Sequence, residues 1–168
     1  FQRLTAATVT TTFLLVMIGA LVRATGSGTA CPTWPGCFPG QFLPGLDHDY
    51  HVWIEWIHRT VAVLIGLLIL AMLAAAVRDH RDRPSIVRGS IVALGLVIFQ
   101  GWLGRETVRL GNSGESVTAH LASAMALFGL LIFLHLRSRY PARIAGPGGS
   151  QRFTLLACGK EATTAAAE

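Results

Sequence analysis

The chain has 168 residues, 52% of them hydrophobic and 14% charged, with a mean hydropathy of +0.52. That balance excludes an ordinary soluble domain and points to an all-α membrane protein. Formal net charge is +5 and 13 of the 14 basic residues are arginine; they collect in loops without aromatic interleaving, which argues against a nucleic-acid partner and for a role in membrane orientation.

The sequence opens on Phe1 rather than Met, so a native start upstream or a processed terminus is expected. The first apolar run, 4–22, carries no charged residue. It is too long for the apolar centre of a signal peptide, and Arg23 follows without a cleavage pattern, so it reads as a retained helix. The next loop is rich in glycine and turn formers, and Pro32 and Pro35 forbid a continuous helix there. Cys31 and Cys37 stand in it, five residues between them. A disulfide, two free thiols and a redox-active pair all stay open, whereas zinc would need His48 and His51 at a spacing that is not compact. Asp47, His48, Asp49 and His51 read as residues that solvate the loop.

A second run, 60–77, extends back to Trp53 and so takes in Glu55, His58 and Arg59, giving a helix over 53–77. The third, 86–104, reaches spanning length if Arg88 snorkels. Its Gln100 either bonds across helices or lines a pocket. The fourth, 116–136, is interrupted only by His120 and His135. Each meets or approaches the roughly 17–25 apolar residues a span requires. The expected fold is therefore a polytopic four-helix bundle. Arginines 78, 81, 83 and 88 lie between helices two and three, and 137, 139 and 143 follow helix four. The positive-inside rule then places both termini in the cytoplasm and the loops 24–52 and 105–116 outside.

With that topology, helices two and four run the same way. His58 is five residues past Trp53 and His120 three past Val117, each about one to one and a half turns below the outer surface at ~1.5 Å per residue. Ionisable groups in spanning segments usually mark a buried site, and two imidazoles at one depth are what a haem iron takes from a bundle. The competing reading is a pair of interfacial, hydrogen-bonded histidines. Glu55, three residues before His58, shares its helix face. It is either a proton carrier beside a haem substituent or a boundary carboxylate paired with Arg59 or Arg105. His80 and His135, near the inner side, could form a second pair and make the protein a b-type haem carrier, but His80 falls in a charged loop.

Three groups of residues carry a family resemblance. Gly19-Ala20-Leu21-Val22-Arg23-Ala24-Thr25-Gly26-Ser27-Gly28 with Cys31-Pro32-Thr33-Trp34-Pro35-Gly36-Cys37 resembles the first outer loop of bacterial heme A synthases. Ile54-Glu55-Trp56-Ile57-His58-Arg59 is similar to that family's second-helix signature. Gln100-Gly101-Trp102-Leu103-Gly104-Arg105-Glu106-Thr107-Val108 and Ala119-His120-Leu121 are similar to its third and fourth helices. The resemblance implies a multi-pass bacterial membrane oxidoreductase that converts the ring methyl of heme O at position eight to the formyl of heme A, for assembly of terminal oxidases. By the same likeness His58 and His120 would ligate the haem iron, Glu55 would be catalytic, and Cys31 and Cys37 would form a disulfide. Partners so implied are heme O, membrane lipid, a heme O synthase and an electron acceptor.

Family members have eight helices in two similar halves, the second holding haem b; this chain matches the first half. Residues 1–145 are expected to form the haem-binding unit and 146–168 a cytoplasmic tail or the truncated start of a second half, with Cys158 an ordinary thiol. The stretch 153–158 begins like a fifth helix but is too short to span. A half-length form that pairs as a homodimer, a truncated product and a fragment are the expected explanations. Non-catalytic readings, a membrane b-type haem carrier or an oxidase-assembly scaffold, stand beside the enzyme.

Overall fold

The computed structural model describes residues 1–41 and 43–140. What the sequence suggests for 141–168, including the tail, the short apolar stretch and Cys158, lies outside the described residues. Among the described residues the fold consists of four α-helices, α1 (Gln2–Thr25), α2 (Tyr50–Asp79), α3 (Pro84–Arg109) and α4 (Gly114–Arg139), and a single short 3-10 turn at Ser27–Thr29. All four are long and apolar enough to cross a membrane. Among the described residues there is no β-strand beyond an isolated bridge between Phe38 and Gln41.

Each helix contains its expected apolar run and overshoots it. The reason is that helices stop at caps rather than where hydrophobicity ends. α1 continues through Arg23 to Gly26, whose φ of 72° is a left-handed cap that a side chain would disfavour. α3 starts at Pro84, a residue suited to the first helical position because its missing N–H would be unpaired there anyway. α4 starts where the Ser113 hydroxyl accepts the Ser116 N–H at 3.3 Å.

Short connections of four residues between α2, α3 and α4 force these helices antiparallel. α1 packs on α2 and α4, and α3 packs on α2 and α4, so the bundle closes as a ring. α2 and α4 are thus parallel and diagonal, facing each other across the bundle axis.

The packed core is not central along that axis. It consists of Ile65, Ile69 and Met72 of α2, Ala93 of α3, and Leu127, Leu131 and Leu134 of α4. α1 contributes threonines instead: Thr5, Thr8 and Thr12 are buried. The hydroxyls of Thr8 and Thr12 donate to carbonyls one turn back, Leu4 at 2.8 Å and Thr8 at 2.7 Å, so they need no cross-helix partner. Large apolar side chains such as Met17, Val63, Leu67 and Ile98 point outward and are more than half exposed. A soluble bundle would bury such residues, whereas here they offer an apolar surface to lipid tails.

Candidate functional site

On both diagonal helices the histidine stands seven residues before the first core residue, His58 before Ile65 and His120 before Leu127. Over those two turns, about 10 Å at 1.5 Å per residue, no side chain of either helix is fully buried. The bundle therefore has an uncored segment with an imidazole entering it from each diagonal helix.

Both rings are partly buried, and in both Nδ1 is buried without a hydrogen-bond partner among the described residues. The exposed part of each ring therefore lies away from Nδ1. Glycines on the other two helices provide their backing. A methyl at Gly19 of α1 would stand 3.2 Å from Cε1 of His58, and one at Gly104 of α3 would stand 3.5 Å from Cε1 of His120. The sequence contains both glycines inside recognisable strings, but nothing in spacing alone identifies them as surfaces on which an imidazole rests.

Buried polar atoms are nearly always paired, and an orphan inside an apolar segment is costly. Two imidazoles, each with a buried unpaired nitrogen, set by diagonal helices into the same uncored segment are donor chemistry suited to an iron porphyrin. The residues present thus fit a haem. Among the described residues no group of three or more His, Cys, Asp or Glu side chains gathers as a metal site, so a zinc centre with His48 and His51 is not assembled.

Glu55 lies one turn above His58 and is 2% exposed. One carboxylate oxygen accepts the Cys31 N–H at 2.8 Å, and the other pairs with Arg59. Of the two partners the sequence suggested, Arg59 takes this role, while Arg105 pairs with Glu106 at 2.8 Å. Arg59 also donates to the carbonyls of Thr33, Gly36 at 3.2 Å and Cys31 at 3.3 Å. One guanidinium therefore fastens the outer loop to α2. Cys31 and Cys37 form a disulfide, and both are buried beneath Trp56, Phe38 and Val52.

The rest of the outer loop is more organised than expected. His51 does not simply face solvent: its Nδ1 pairs at 2.9 Å with Ser27, a fully buried hydroxyl that also meets Thr25 at 2.6 Å. His48 stacks on Phe38, ring centroids 4.4 Å apart. Gln100 bonds across to α4, donating to the His120 carbonyl at 3.2 Å and to Ser123 at 2.7 Å. It therefore buttresses the segment that carries His120.

The inner histidines are engaged elsewhere. His135 Nδ1 pairs with the Thr5 hydroxyl at 2.9 Å, and His80 packs edge-on against Phe1 at 4.8 Å. Each has a partner on or beside α1, and neither has a buried orphan nitrogen among the described residues.

Residues 2–166 match the profile of a family described as cytochrome oxidase assembly protein. The chain is 34% identical over 148 residues to heme A synthase from Shewanella oneidensis, covering 79% of this chain and 44% of the relative. Against heme A synthase from Geobacillus thermodenitrificans identity is 36% over 138 residues, covering 80% and 43%. Against that from Shouchella clausii it is 37% over 123 residues, covering 72% and 40%. The chain thus spans less than half the length of each of these relatives.

Proposed function

Since this chain belongs to the family of cytochrome oxidase assembly proteins, we propose that it forms a haem-handling unit of heme A synthase type, acting on the ring methyl of heme O. The observation that carries this reading is the pair of half-buried imidazoles, each with an orphaned nitrogen, entering one uncored segment from diagonal helices. His58 and His120 would hold the iron. Bound there, the porphyrin supplies the redox chemistry.

This chain's own residues contribute position and proton handling. Gly19 and Gly104 let the imidazoles lie against the neighbouring helix backbones, and Gln100 fixes the turn that presents His120. Glu55 sits one turn from His58, on the same face, with its carboxyl group held from two sides. A macrocycle substituent reaching that height would meet a carboxyl group of fixed orientation, suited to taking up or returning a proton. The disulfide loop covers it and limits access of bulk water.

The arginine distribution orients the unit with both termini in the cytoplasm and the histidine site near the outer face. A second four-helix unit, another copy or a second half, would complete the assembly, with an electron acceptor beyond it. A carrier based on His80 and His135 is the weaker reading, because both rings already have partners at α1.

The test is extraction of haem from membranes that also make heme O, with and without the chain. Heme A or its hydroxylated precursor is expected with the wild type, and unchanged haem with Glu55→Ala at equal haem content. Unchanged heme O with both the wild type and the variant, although haem is bound, would transfer the argument to the carrier or scaffold.

A further inference from the structure

The end of the bundle opposite the histidines carries a cavity of about 310 Å³ lined by Asp82, Arg83, Pro84, Ser85, Ile86 and Arg137. Two elements build it. Arg83 is the residue that caps α3, and Arg137 belongs to the last turn of α4. Both are half-buried, unlike the exposed Arg81, Arg88 and Arg139 around them.

Neither Arg83 nor Arg137 makes an ion pair or side-chain hydrogen bond among the described residues. Arg88 and Arg139 are unpaired as well among the described residues but lie exposed, whereas the half-buried Arg59 pairs with Glu55; Arg83 and Arg137 combine partial burial with the lack of a partner. Asp82, the one carboxylate in the lining, is exposed and pairs with neither guanidinium. The lining thus holds two half-buried cations against one exposed carboxylate, with neither guanidinium paired, an arrangement that a bound anion would relieve. The Ser85 N–H and hydroxyl are two further donors with no partner among the described residues.

What lies next to these charges identifies the anion. Immediately membrane-ward of Arg137, Leu136 and Phe133 of α4 are 47% and 49% exposed, and on α3 Ile91 and Val92 are 54% and 53% exposed. A cationic cavity at the end of two helices whose next turns expose apolar side chains matches an amphiphile with a phosphate head and acyl tails. Basic recesses between spanning helices are a known form of acidic-lipid site. We propose that this cavity seats the phosphate of an anionic phospholipid from the leaflet it faces, gripped by Arg83 and Arg137 with Ser85 as an additional donor. The site makes no use of the histidines or Glu55, so it stands or falls separately from the proposed activity.

The test is native mass spectrometry of the full chain released from nanodiscs of phosphatidylglycerol and phosphatidylcholine, scored as retained lipid. Wild type should retain phosphatidylglycerol in preference. Arg83→Gln with Arg137→Gln should lower that retention roughly twenty-five-fold, from about fivefold for each arginine. Lysine at both positions should restore most of it, and unchanged helix content by circular dichroism reports that the variants fold. Arg81→Gln with Arg139→Gln, exposed and outside the cavity, should leave retention near wild type. Equal losses in the two double variants would overturn the site in favour of diffuse surface charge. Thermal protection by millimolar inorganic phosphate in detergent, matching that of the lipid, would overturn the lipid assignment in favour of a free-anion site.

Discussion

The two halves of this bundle are built on opposite plans. Toward the inner end, Ile65, Ile69, Met72, Ala93, Leu127, Leu131 and Leu134 form a buried apolar core. Toward the outer end the same helices bury little that is apolar, Val52 beside the disulfide; what else is buried there is Glu55, Ser27, Thr107, the disulfide itself and one nitrogen of each of two imidazoles. Without a hydrophobic driving force between helices in lipid, packing and hydrogen bonds must hold such a bundle. The inner half uses packing. The outer half uses a charge pair, a covalent bridge and a folded loop, and between the histidines and the core no side chain of α2 or α4 is fully buried. The apolar core and the two histidines are thus separated along one set of helices by about two turns.

Substitutions can break that separation or sharpen it. The largest effect is expected from Arg59→Gln. It strands the buried Glu55 carboxyl group and releases three loop carbonyls, a loss of about 3–5 kcal/mol for a broken buried pair. Limited proteolysis should then cut the 26–49 loop while the helices stay intact; uniform unfolding would show that the two halves are not separable. Leu131→Ala opens the inner core and should destabilise by about 2–5 kcal/mol in a reversible unfolding titration. Haem affinity should not change with it. A parallel loss of haem would mean that the core and the histidines form one unit.

Gly19→Ala probes the outer half more gently. The added methyl meets Cε1 of His58 at 3.2 Å, and relieving that contact costs about 1 kcal/mol, the low end for overpacking. A haem titration should show a several-fold weaker site, whereas Gly104→Ala, with 3.5 Å of room, should match the wild type. The smallest effect belongs to Thr5→Val. It removes the bond to His135 and should lower stability by about 1 kcal/mol, with no change in the haem spectrum.

Much of this plan can be read from the chain. Four apolar runs define four helices, and the positions of His58 and His120 in them set a common depth. Helix ends are harder, because Gly26, Pro84 and Ser113 act through local cap geometry that hydropathy does not report. The surroundings of Glu55 are harder still. Its three-residue offset from His58 is visible, but the Cys31 N–H that binds it arrives from 24 positions away through a loop with no periodic pattern. His51 shows the same limit. Its place among Asp47, His48 and Asp49 suggests solvation, yet a buried serine from the end of α1 takes its ring nitrogen.

The central claim is that His58 and His120 together hold one iron, and spectroscopy of the haem-loaded chain tests it most directly. Optical and electron paramagnetic resonance spectra should show a low-spin, bis-imidazole centre that is lost in His58→Ala and in His120→Ala alike. The same signal should persist in His80→Ala and His135→Ala. A low-spin bis-imidazole signal that survives removal of either outer histidine, or that disappears with an inner one, would contradict the account.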